Sequence, residues 1–408
     1  MYERLSKIYY KNASNYQVEY EKRINSYGTV KLPFKIKPHK GNNEFNCFYV
    51  NYLELDMLHE QIMKQSNQIQ FIMKQKLPPI AIKQYIQAKL VEELMSTNEI
   101  EGVQSTRAEM TGAIEVSEQK PSKTKKRVRH LSLVNSYSKL LSDDNTEITS
   151  IEQIREIYDS LVKDEIKAKD QLDGEIFRKG PVDVVTSTEK IIHKGVYPER
   201  AIQNHLNDLI DYLNEHNSPM LYRIAITHYY FGYIHPFYDG NGRTSRYIAS
   251  MYLKEELDPL TALTLSYSTN KLKKLYYDVF SESNNPLNQG ELTYFCHAFF
   301  SIIHQAQEEI IEELLVRGEK IYQLYDLIEG INGIDSLCKS ILFIVGQDYI
   351  FGLEGEGIAK SILITELELT KYKVDKCLKQ LREQGLVINT KSNPVKITLS
   401  KQLSGQLD

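Results

Sequence analysis

Apolar residues recur at intervals of three and four along most of this chain, and that pattern restricts the fold more than any other feature. In the segment that follows Pro78 and Pro79, one helical face would carry Ile82, Tyr85, Ile86, Leu90 and Leu94. Proline is tolerated in the first turn of a helix, and Gly102 is a natural stop at the other end. Similar spacing marks five further stretches: Tyr49 to Met73, a segment from Ile151, Ala201 to Leu213, Pro219 to Ile234, and Thr293 to about Ile328. We therefore predict a mainly α-helical protein.

One central segment breaks this pattern, between Asp173 and Pro198. It is rich in β-branched residues and is bounded by Gly180-Pro181 and Gly195. The β-branched positions are Val182, Val184, Val185, Thr186, Thr188, Ile191 and Ile192. Such a run between turn residues predicts a short β-hairpin within the helical protein, over Val182–Pro198.

Size and charge limit the class of protein. A chain of 408 residues is too long for a single compact core, so two or three domains are expected. The 41% hydrophobic and 25% charged content is that of a folded soluble protein. A net charge of −4 argues against general attraction to nucleic acid, although a local basic face is compatible with it.

The cysteines and the first residues bear on location. Cys47, Cys296, Cys338 and Cys377 show neither the paired spacing of a metal site nor the density of a disulfide scaffold. Buried free thiols in a reducing compartment explain them better. The start of the sequence lacks the apolar stretch of a signal peptide, and no apolar run is long enough to cross a bilayer. We expect a cytoplasmic protein with no membrane partner.

The segment from Ile234 to Arg246 carries the residues best suited to chemistry. Gly240 and Gly242 leave the backbone N–H groups open to a ligand. A helix that begins near Asn241 would direct unpaired amides and the positive end of its dipole at the same point. Together these features predict an anion site of the kind that holds phosphate.

The side chains of this loop support that prediction. Arg243 and Arg246 share one face of the first helical turn and can bind one polyphosphate. Asp239 is an oxygen ligand suited to Mg²⁺, and His235 has the ordinary pKa of a general base for a hydroxyl. Phe237 is expected to fill the core and hold the loop in place. Each residue alone is more often structural, but their concentration in one loop indicates a functional site.

This loop resembles the signature of the Fic family, His-Pro-Phe-x-Asp/Glu-Gly-Asn-Gly-Arg-x-x-Arg, and it matches at every position. The resemblance extends over roughly Ile151 to Phe300 and includes Gly174–Arg178. It implies a Fic-type helical bundle, in which the hairpin would be a flap that binds the target through Val182 and Val184.

The activity implied by the resemblance is transfer of AMP from ATP to a Ser, Thr or Tyr hydroxyl of a target protein. His235 would be the general base, and Asp239 would hold Mg²⁺ on the phosphates. Asn241 and Arg243 would complete the catalytic set. The residues that would bind ATP are Gly240, Asn241, Gly242, Arg243, Arg246 and Tyr277. Arg243 would hold the inner phosphates and Arg246 the γ-phosphate.

Two details refine this expectation. The kinase-like Doc branch has lysine at the position of Gly242, which disfavours phosphorylation. Tyr276-Tyr277 is similar to the paired tyrosines near the nucleotide base in the family, although core packing explains the pair equally well.

A second motif precedes the loop. Thr97–Gly102 fits the Ser/Thr-x-x-x-Glu-Gly/Asn pattern of the family's inhibitory helix, whose glutamate, here Glu101, would pair with Arg246. A carboxylate there competes with the γ-phosphate for one guanidinium. The alternative is an ordinary helix end at Gly102. In some members the same glutamate takes part in the reverse reaction, removal of AMP.

The tail suggests a different class of function. After the linker Gly330–Gly333, the segments Leu337–Val345, Ile358–Leu367 and Tyr372–Gln384 are predicted helices, and Leu386–Ile388 and Val395–Leu399 are predicted strands. That order is typical of a winged helix-turn-helix domain. Its recognition helix would carry Lys371, Lys373, Lys376, Lys379 and Arg382, which allows DNA binding. A protein contact surface is the alternative.

We thus expect an N-terminal helical region with the inhibitory helix at 1–115, a catalytic domain at 116–330 and a winged-helix domain at 334–408. The basic run Gln119–Arg129 is best explained as a solvated connecting loop, with phosphate contact as the alternative. The expected partners are ATP and a target protein. Self-modification, a homodimer and a DNA or protein contact of the tail are further partners that the sequence allows.

Overall fold

The computed structural model describes residues 2–117, 128–142, 147–162, 165–185, 191–215 and 217–407. Helices make up 66% of it, which confirms the mainly α-helical fold. The first nine helices are α1 Leu5–Lys11, α2 Ala13–Ile24, α3 Leu53–Lys76, α4 Pro79–Ile100, α5 Arg107–Ser117, α6 Leu131–Ser142, α7 Ile151–Val162, α8 Glu199–Asn214 and α9 Met220–Ile234. The following nine are α10 Asn241–Glu256, α11 Pro259–Ala262, α12 Leu265–Lys271, α13 Lys273–Ser283, α14 Thr293–Glu329, α15 Ser336–Phe351, α16 Lys360–Glu366, α17 Lys371–Glu383 and α18 Lys401–Ser404.

The strands of the described residues form three small sheets. Two are antiparallel hairpins, β1 with β2 and β3 with β4, and the third has the order β5-β7-β6. The strands are β1 Thr29–Ile36, β2 Phe45–Val50, β3 Asp183–Val185, β4 Ile191–Lys194, β5 Ile358–Ala359, β6 Val387–Ser392 and β7 Val395–Leu399.

The first hairpin corrects the sequence prediction. The helix predicted from Tyr49 begins only at Leu53. Residues Phe45–Val50 instead pair with β1, with Thr29 opposite Val50. Their last four residues are buried one after another, and such a run does not distinguish a buried strand from a buried helix.

The second hairpin was predicted correctly. β3 and β4 lie within Val182–Pro198, and Val184 is paired with His193. Thr186 and Thr188, which were expected to belong to the hairpin, lie outside the described residues. Most of the basic run Gln119–Arg129 lies outside them too, whereas Arg129 forms an ion pair with Glu109 at 3.1 Å.

Helix α9 forms the centre of the larger compact unit, which comprises Met1–Ser66 and Glu93–Gln307. Nearly every α9 side chain is buried, as expected for a helix that is apolar on all sides. It packs against α8 and α10. Because α9 is enclosed in this way, the loop that follows it starts from a fixed point.

The smaller compact unit comprises Asn67–Glu92 and Glu308–Asp408. Within it, Tyr85 donates to Glu313 at 2.9 Å, and its ring meets that of Phe351 edge to face. These two units are defined by contacts between residues, whereas the predicted boundaries at 115 and 330 divide the chain by the expected role of each part. That division stays a prediction.

The tail has the predicted order of elements, with one difference. Ile358, predicted as the start of a helix, belongs to β5 because it pairs with Ile397 of β7, and helix α16 begins at Lys360. The assignment to the winged-helix class stays a prediction. Within the described residues, no helix combines the length and the apolar character needed to cross a membrane.

Candidate active site

The loop between α9 and α10 is shaped by two residues with positive φ. His235 ends α9 with a φ of 53°, and its N–H donates to the carbonyl of Phe231 at 2.9 Å. Gly240 has a φ of 83° and leads into α10 at Asn241. A side chain at position 240 would also press on Tyr158 and Val162. Glycine is therefore required there for both its backbone conformation and its size.

The loop is closed by Asn241 and Phe237. The side chain of Asn241 accepts from the N–H of Phe237 at 2.9 Å and donates to its carbonyl at 2.8 Å. The ring of Phe237 is fully buried and stacks on Tyr158 with 3.8 Å between ring centroids. Phe237 thus anchors the loop in the core, as expected. The structure places the Asn241 side chain on the loop backbone, where it fixes the position of the surrounding amides.

Arg178 holds the start of the loop from the other side. Its buried guanidinium donates to the carbonyls of His235 at 2.9 Å, Gly180 at 2.6 Å and Val196 at 2.8 Å. Burial lowers the pKa of Arg178 to about 10, so the group stays charged near neutral pH. In the sequence, Arg178 is only the last residue of the Gly174–Arg178 segment that resembles the family, and nothing there indicates that it holds the loop.

His235 is a half-buried imidazole beside two other basic groups. Burial lowers the pKa of His235 to about 3, and the neighbouring His193 and Arg178 lower it further because their positive charge opposes protonation. His193 contacts the carbonyl of Tyr233 through its Nε2 at 2.6 Å. This corrects the ordinary histidine pKa that the sequence suggested, because burial beside cationic groups disfavours the protonated ring. The neutral ring can accept a proton, as a general base does.

The base of the β3–β4 hairpin lies beside His235. Gly195 donates to the carbonyl of Val182 at 3.0 Å, and Val196 donates to that of Ile234 at 3.0 Å. A side chain at position 195 would press on the Cβ of His235. Of the predicted flap residues, Val182 thus lies at the end of the hairpin beside the predicted base, and Val184 is paired with His193 within the hairpin.

Arg246 is buried and bound on one edge by Thr97 and Glu101. Its Nη2 donates to Glu101 Oε1 at 2.9 Å, and its Nε and Nη2 donate to Thr97 Oγ1 at 3.1 and 3.0 Å. Burial alone would lower the pKa of Arg246, but the Glu101 carboxylate outweighs that effect and raises it. The structure thus contains the ion pair expected between these two motifs.

Glu101 also covers the amide end of α10. A side chain added at Gly242 would overlap Glu101 Oε1 and press on Arg246 Nη1. Helix α4 ends at Ile100, and Gly102 follows with a φ of 72°, so the chain turns where the sequence predicted. The carboxylate of Glu101 therefore lies at the point where the first turn of α10 would receive an anion.

Arg243 has a different partner, which the sequence did not indicate. Its Nη1 donates to Glu165 Oε2 at 2.6 Å, and Glu165 Oε1 lies 2.6 Å from His130 Nδ1. Glu165 follows α7 and His130 precedes α6, and nothing in their local sequence marks them as site residues. Only the folded chain brings them to the loop.

Two further predicted residues lie at the edge of this site. Asp239 is half-buried, and its Oδ1 accepts from the N–H of Gly240 at 2.6 Å. Tyr277 lies on α13 with 42% of its surface exposed, and its ring contacts that of Tyr276 edge to face. Burial raises the pKa of Tyr277, and the charge of Glu101 raises it further.

One other group of metal-ligand type exists within the described part of the chain. The ligand atoms of Asp335, Cys338 and Cys377 lie within 4.8 Å of one another, although the sequence showed no paired cysteines. Asp335 already accepts from the N–H of Cys338 at 2.8 Å as the cap of α15. Burial raises the pKa of the Cys338 thiol, which keeps it protonated and disfavours metal binding.

Comparison with known proteins finds the same family that the loop resembles. Residues 148–253 match the family model described as Fic/DOC family. A Fic family protein from Desulfovibrio desulfuricans G20 is similar in structure, with a TM-score of 0.55 and 17% sequence identity over 86% of this chain and 98% of that one.

Two further structures have lower scores. A Fic domain containing signaling protein from Bacteroides thetaiotaomicron VPI-5482 has a TM-score of 0.44 and 16% identity over 64% of this chain and 96% of that one. Fic-1 from C. elegans has a TM-score of 0.41 and 18% identity over 64% and 73% of the two chains. On the match to the family model, residues 148–253, which contain the His235–Arg246 loop, are a domain of the Fic/DOC family.

Proposed function

We propose that this chain is a protein adenylyltransferase that is restrained by Glu101. Fic domain proteins are generally transferases that act on proteins, and typically transfer AMP or other nucleotide groups. The finer proposal is that ATP is the donor, that the acceptor is a Ser, Thr or Tyr hydroxyl, and that AMP is the group transferred.

The observation that carries this proposal is the position of the Glu101 carboxylate. It is bound to Arg246 at 2.9 Å and lies over Gly242 at the start of α10. A carboxylate that is bound to an arginine and lies beside the first turn of a helix is in a position suited to an anion. This supports a site that binds a phosphate when Glu101 moves away.

The reaction would proceed by positioning and charge stabilisation, as phosphate transfer generally does. His235 accepts the proton of the target hydroxyl, whose oxygen forms a bond with the α-phosphorus of ATP. The bond from that phosphorus to the bridging oxygen of the β-phosphate breaks, and pyrophosphate leaves. Arg243 and the amides near Gly240 and Gly242 stabilise the negative charge at the phosphates. Burial lowers the pKa of His235, so its ring is neutral and has a nitrogen that can accept the proton.

Mg²⁺ fits this site through Asp239. The half-buried Asp239 carboxylate lies at the start of the glycine turn, beside the proposed phosphate site. Mg²⁺ characteristically takes one or two carboxylates and completes its shell with phosphates and water. When bound, the metal would neutralise phosphate charge. The chain itself supplies the base, the arginines and the amides.

The test uses ATP labelled on the α-phosphate, with the full chain and a lysate as the source of targets. Glu101→Gly should label itself or a target far more than the wild type does. Label from ATP marked only on the γ-phosphate should not be incorporated, because that phosphate leaves in pyrophosphate. Transfer of γ-label would contradict AMP transfer. Loss of label from a pre-modified protein in the wild type would support AMP removal, the alternative direction.

A second candidate function concerns helix α17. Its basic residues Lys371, Lys373, Lys376, Lys379 and Arg382 are all exposed, and so is the ring of Tyr372. Two of the neighbouring acids are paired: Asp375 with Lys360 at 2.8 Å, and Glu383 with Lys379 at 3.8 Å. An exposed row of cations with an aromatic ring supports contact with nucleic acid.

This second proposal is tested by duplex DNA binding of the full chain at several salt concentrations. Binding should weaken as salt rises, and replacing Lys373 and Lys376 by alanine should reduce the salt dependence. If the protein does not bind DNA at low salt, α17 is better explained as a protein contact surface.

A further inference from the structure

Arg243 and Arg246 each bind a carboxylate, but the two carboxylates hold the two guanidinium groups in different ways. Arg246 donates through Nε and Nη2 to Thr97 and Glu101. Arg243 donates through Nη1 to Glu165, and its Nε is buried with no acceptor among the residues that the structure describes. Only 2% of Arg243 is exposed. A buried donor without a partner is costly, so the Nε of Arg243 is suited to an incoming acceptor.

The two carboxylates also lie in different places. The Glu101 oxygen lies directly over Gly242, where a side chain would overlap it, and the three atoms nearest to that point belong to Glu101 and Arg246. Glu101 therefore occupies the anion position itself. Glu165 reaches Arg243 by a single bond to one terminal nitrogen, which leaves the other nitrogens of the guanidinium for another anion.

Glu165 is itself held by His130. The ring nitrogen Nδ1 of His130 lies 2.6 Å from Glu165 Oε1, and the His130 side chain is fully buried. Burial alone would raise the pKa of Glu165, but the bonds to His130 and Arg243 keep that pKa below its ordinary value. Glu165 is thus an ionised carboxylate with one oxygen on each partner. The side-chain amide of Asn98, in the inhibitory motif, lies 3.4 Å from the same His130 nitrogen.

We propose that Glu165, supported by His130, is a positioning residue that aims the Arg243 guanidinium at the inner phosphates of ATP. This inference rests on the proposed function and adds a second carboxylate with a role opposite to that of Glu101. A group that orients a binding residue typically contributes about 10–100-fold when it is removed, as supporting residues of metal ligands do.

The test is made in the Glu101→Gly protein, where the anion position is free. Adding Glu165→Ala should lower kcat/KM for ATP by about 10–100-fold. Glu165→Gln should lose less, because its amide oxygen can still accept from Arg243 Nη1. Glu156→Ala is the matched control, since Glu156 is an exposed acid on the preceding helix α7. A similar loss in that control would mean that α7 is merely sensitive to substitution.

A readout specific to positioning is the dependence on Arg243. In a protein that already carries Arg243→Ala, Glu165→Ala should change transfer by less than about twofold, because its route to the phosphate is gone. An equal loss with and without Arg243 would overturn the proposal. A rise in transfer on Glu165→Ala would also overturn it, and would make Glu165 a second inhibitor.

Binding of ATP, followed by calorimetry, separates this inference from the proposed function. Glu165→Ala should weaken ATP binding to the Glu101→Gly protein about tenfold, whether or not AMP transfer is seen. If Glu101→Gly binds ATP but does not transfer AMP, the proposed function is wrong. The effect of Glu165→Ala on ATP binding then still tests this inference. Unchanged binding in Glu165→Ala would overturn the inference alone, and absence of ATP binding to Glu101→Gly would overturn both.

Discussion

The side chain of Asn241 and the backbone of Phe237 form two hydrogen bonds with each other, of 2.9 and 2.8 Å. These bonds join the first residue of α10 to the middle of the preceding loop. The intervening residues, including Asp239 and Gly240, are thereby held in one conformation. The amides that would face a phosphate depend on this closure.

Asn241→Ala should therefore weaken both the fold and the reaction. Two net hydrogen bonds contribute about 1–3 kcal/mol to the free energy of unfolding, and urea titration would measure that loss. AMP transfer in the Glu101→Gly background should fall by more than the loss of folded protein explains, because the amides lose their alignment. A variant that keeps full transfer would show that the closure is unimportant for the site.

His235→Ala should abolish transfer of label from α-labelled ATP. Loss of a positioned general base costs on the order of 10²–10⁴-fold. Binding of ATP should be largely retained, because the ring is proposed to contact the hydroxyl and not the phosphates. Both can be measured in the Glu101→Gly background, with thermal unfolding as the control for folding. Near-normal transfer by a folded His235→Ala protein would refute the assignment of the base.

The protein should lose stability in mild acid, partly through His228. This ring is fully buried and bound to Ser245 Oγ at 2.7 Å and Tyr276 at 2.9 Å, and burial lowers the pKa of His228 to about 3. An unfolded histidine has a pKa of about 6.5, so the unfolded state takes up the proton first. The stabilisation is complete above about pH 6.5 and is lost as pH falls toward 3.

The measurement is urea unfolding at pH 7 and pH 5. His228 alone should account for about 2 kcal/mol of the difference, from the linkage relation. His228→Gln should be less stable at pH 7 but should lose about 2 kcal/mol less on acidification. An equal acid loss in the variant and the wild type would mean that His228 titrates normally in the folded protein.

Asp239→Ala should lower AMP transfer and weaken its dependence on Mg²⁺. Without this carboxylate, the metal would be held by phosphate and water only. Titrating Mg²⁺ against transfer in the Glu101→Gly background gives the half-saturating concentration, which should rise in Asp239→Ala. If the protein that keeps Asp239 still transfers AMP after complete chelation of Mg²⁺, Asp239 does not act through the metal.

Local patterns in the sequence predicted much of the fold. The helical face from Ile82 to Leu94 became part of α4, and Gly102 marks its end, because spacing and turn chemistry act over a few residues. The β2 strand at Phe45–Val50 was missed, since a short buried run carries no distinguishing period. Its structure is decided by pairing with β1, which is a tertiary contact.

The candidate site divides in the same way. His235–Arg246 is continuous in the sequence and could be recognised as one loop. The partners of its arginines come from elsewhere: Glu165 lies 78 positions before Arg243, and Glu101 lies 145 positions before Arg246. Glu101 could be found because a motif surrounds it. Glu165 has no such motif, so only the folded structure identifies it.

Glu101 is proposed to restrain AMP transfer through Arg246, and a double-mutant cycle of these two residues tests that restraint. Incorporation of label from α-labelled ATP is measured for the wild type, Glu101→Gly, Arg246→Ala and the double variant, over a range of ATP concentrations. Glu101→Gly should label strongly, because the γ-phosphate can then bind Arg246, and most of this gain should vanish in the double variant. Equal labelling by the wild type and Glu101→Gly at every ATP concentration would contradict the claim, and Thr97–Gly102 would then be an ordinary helix end.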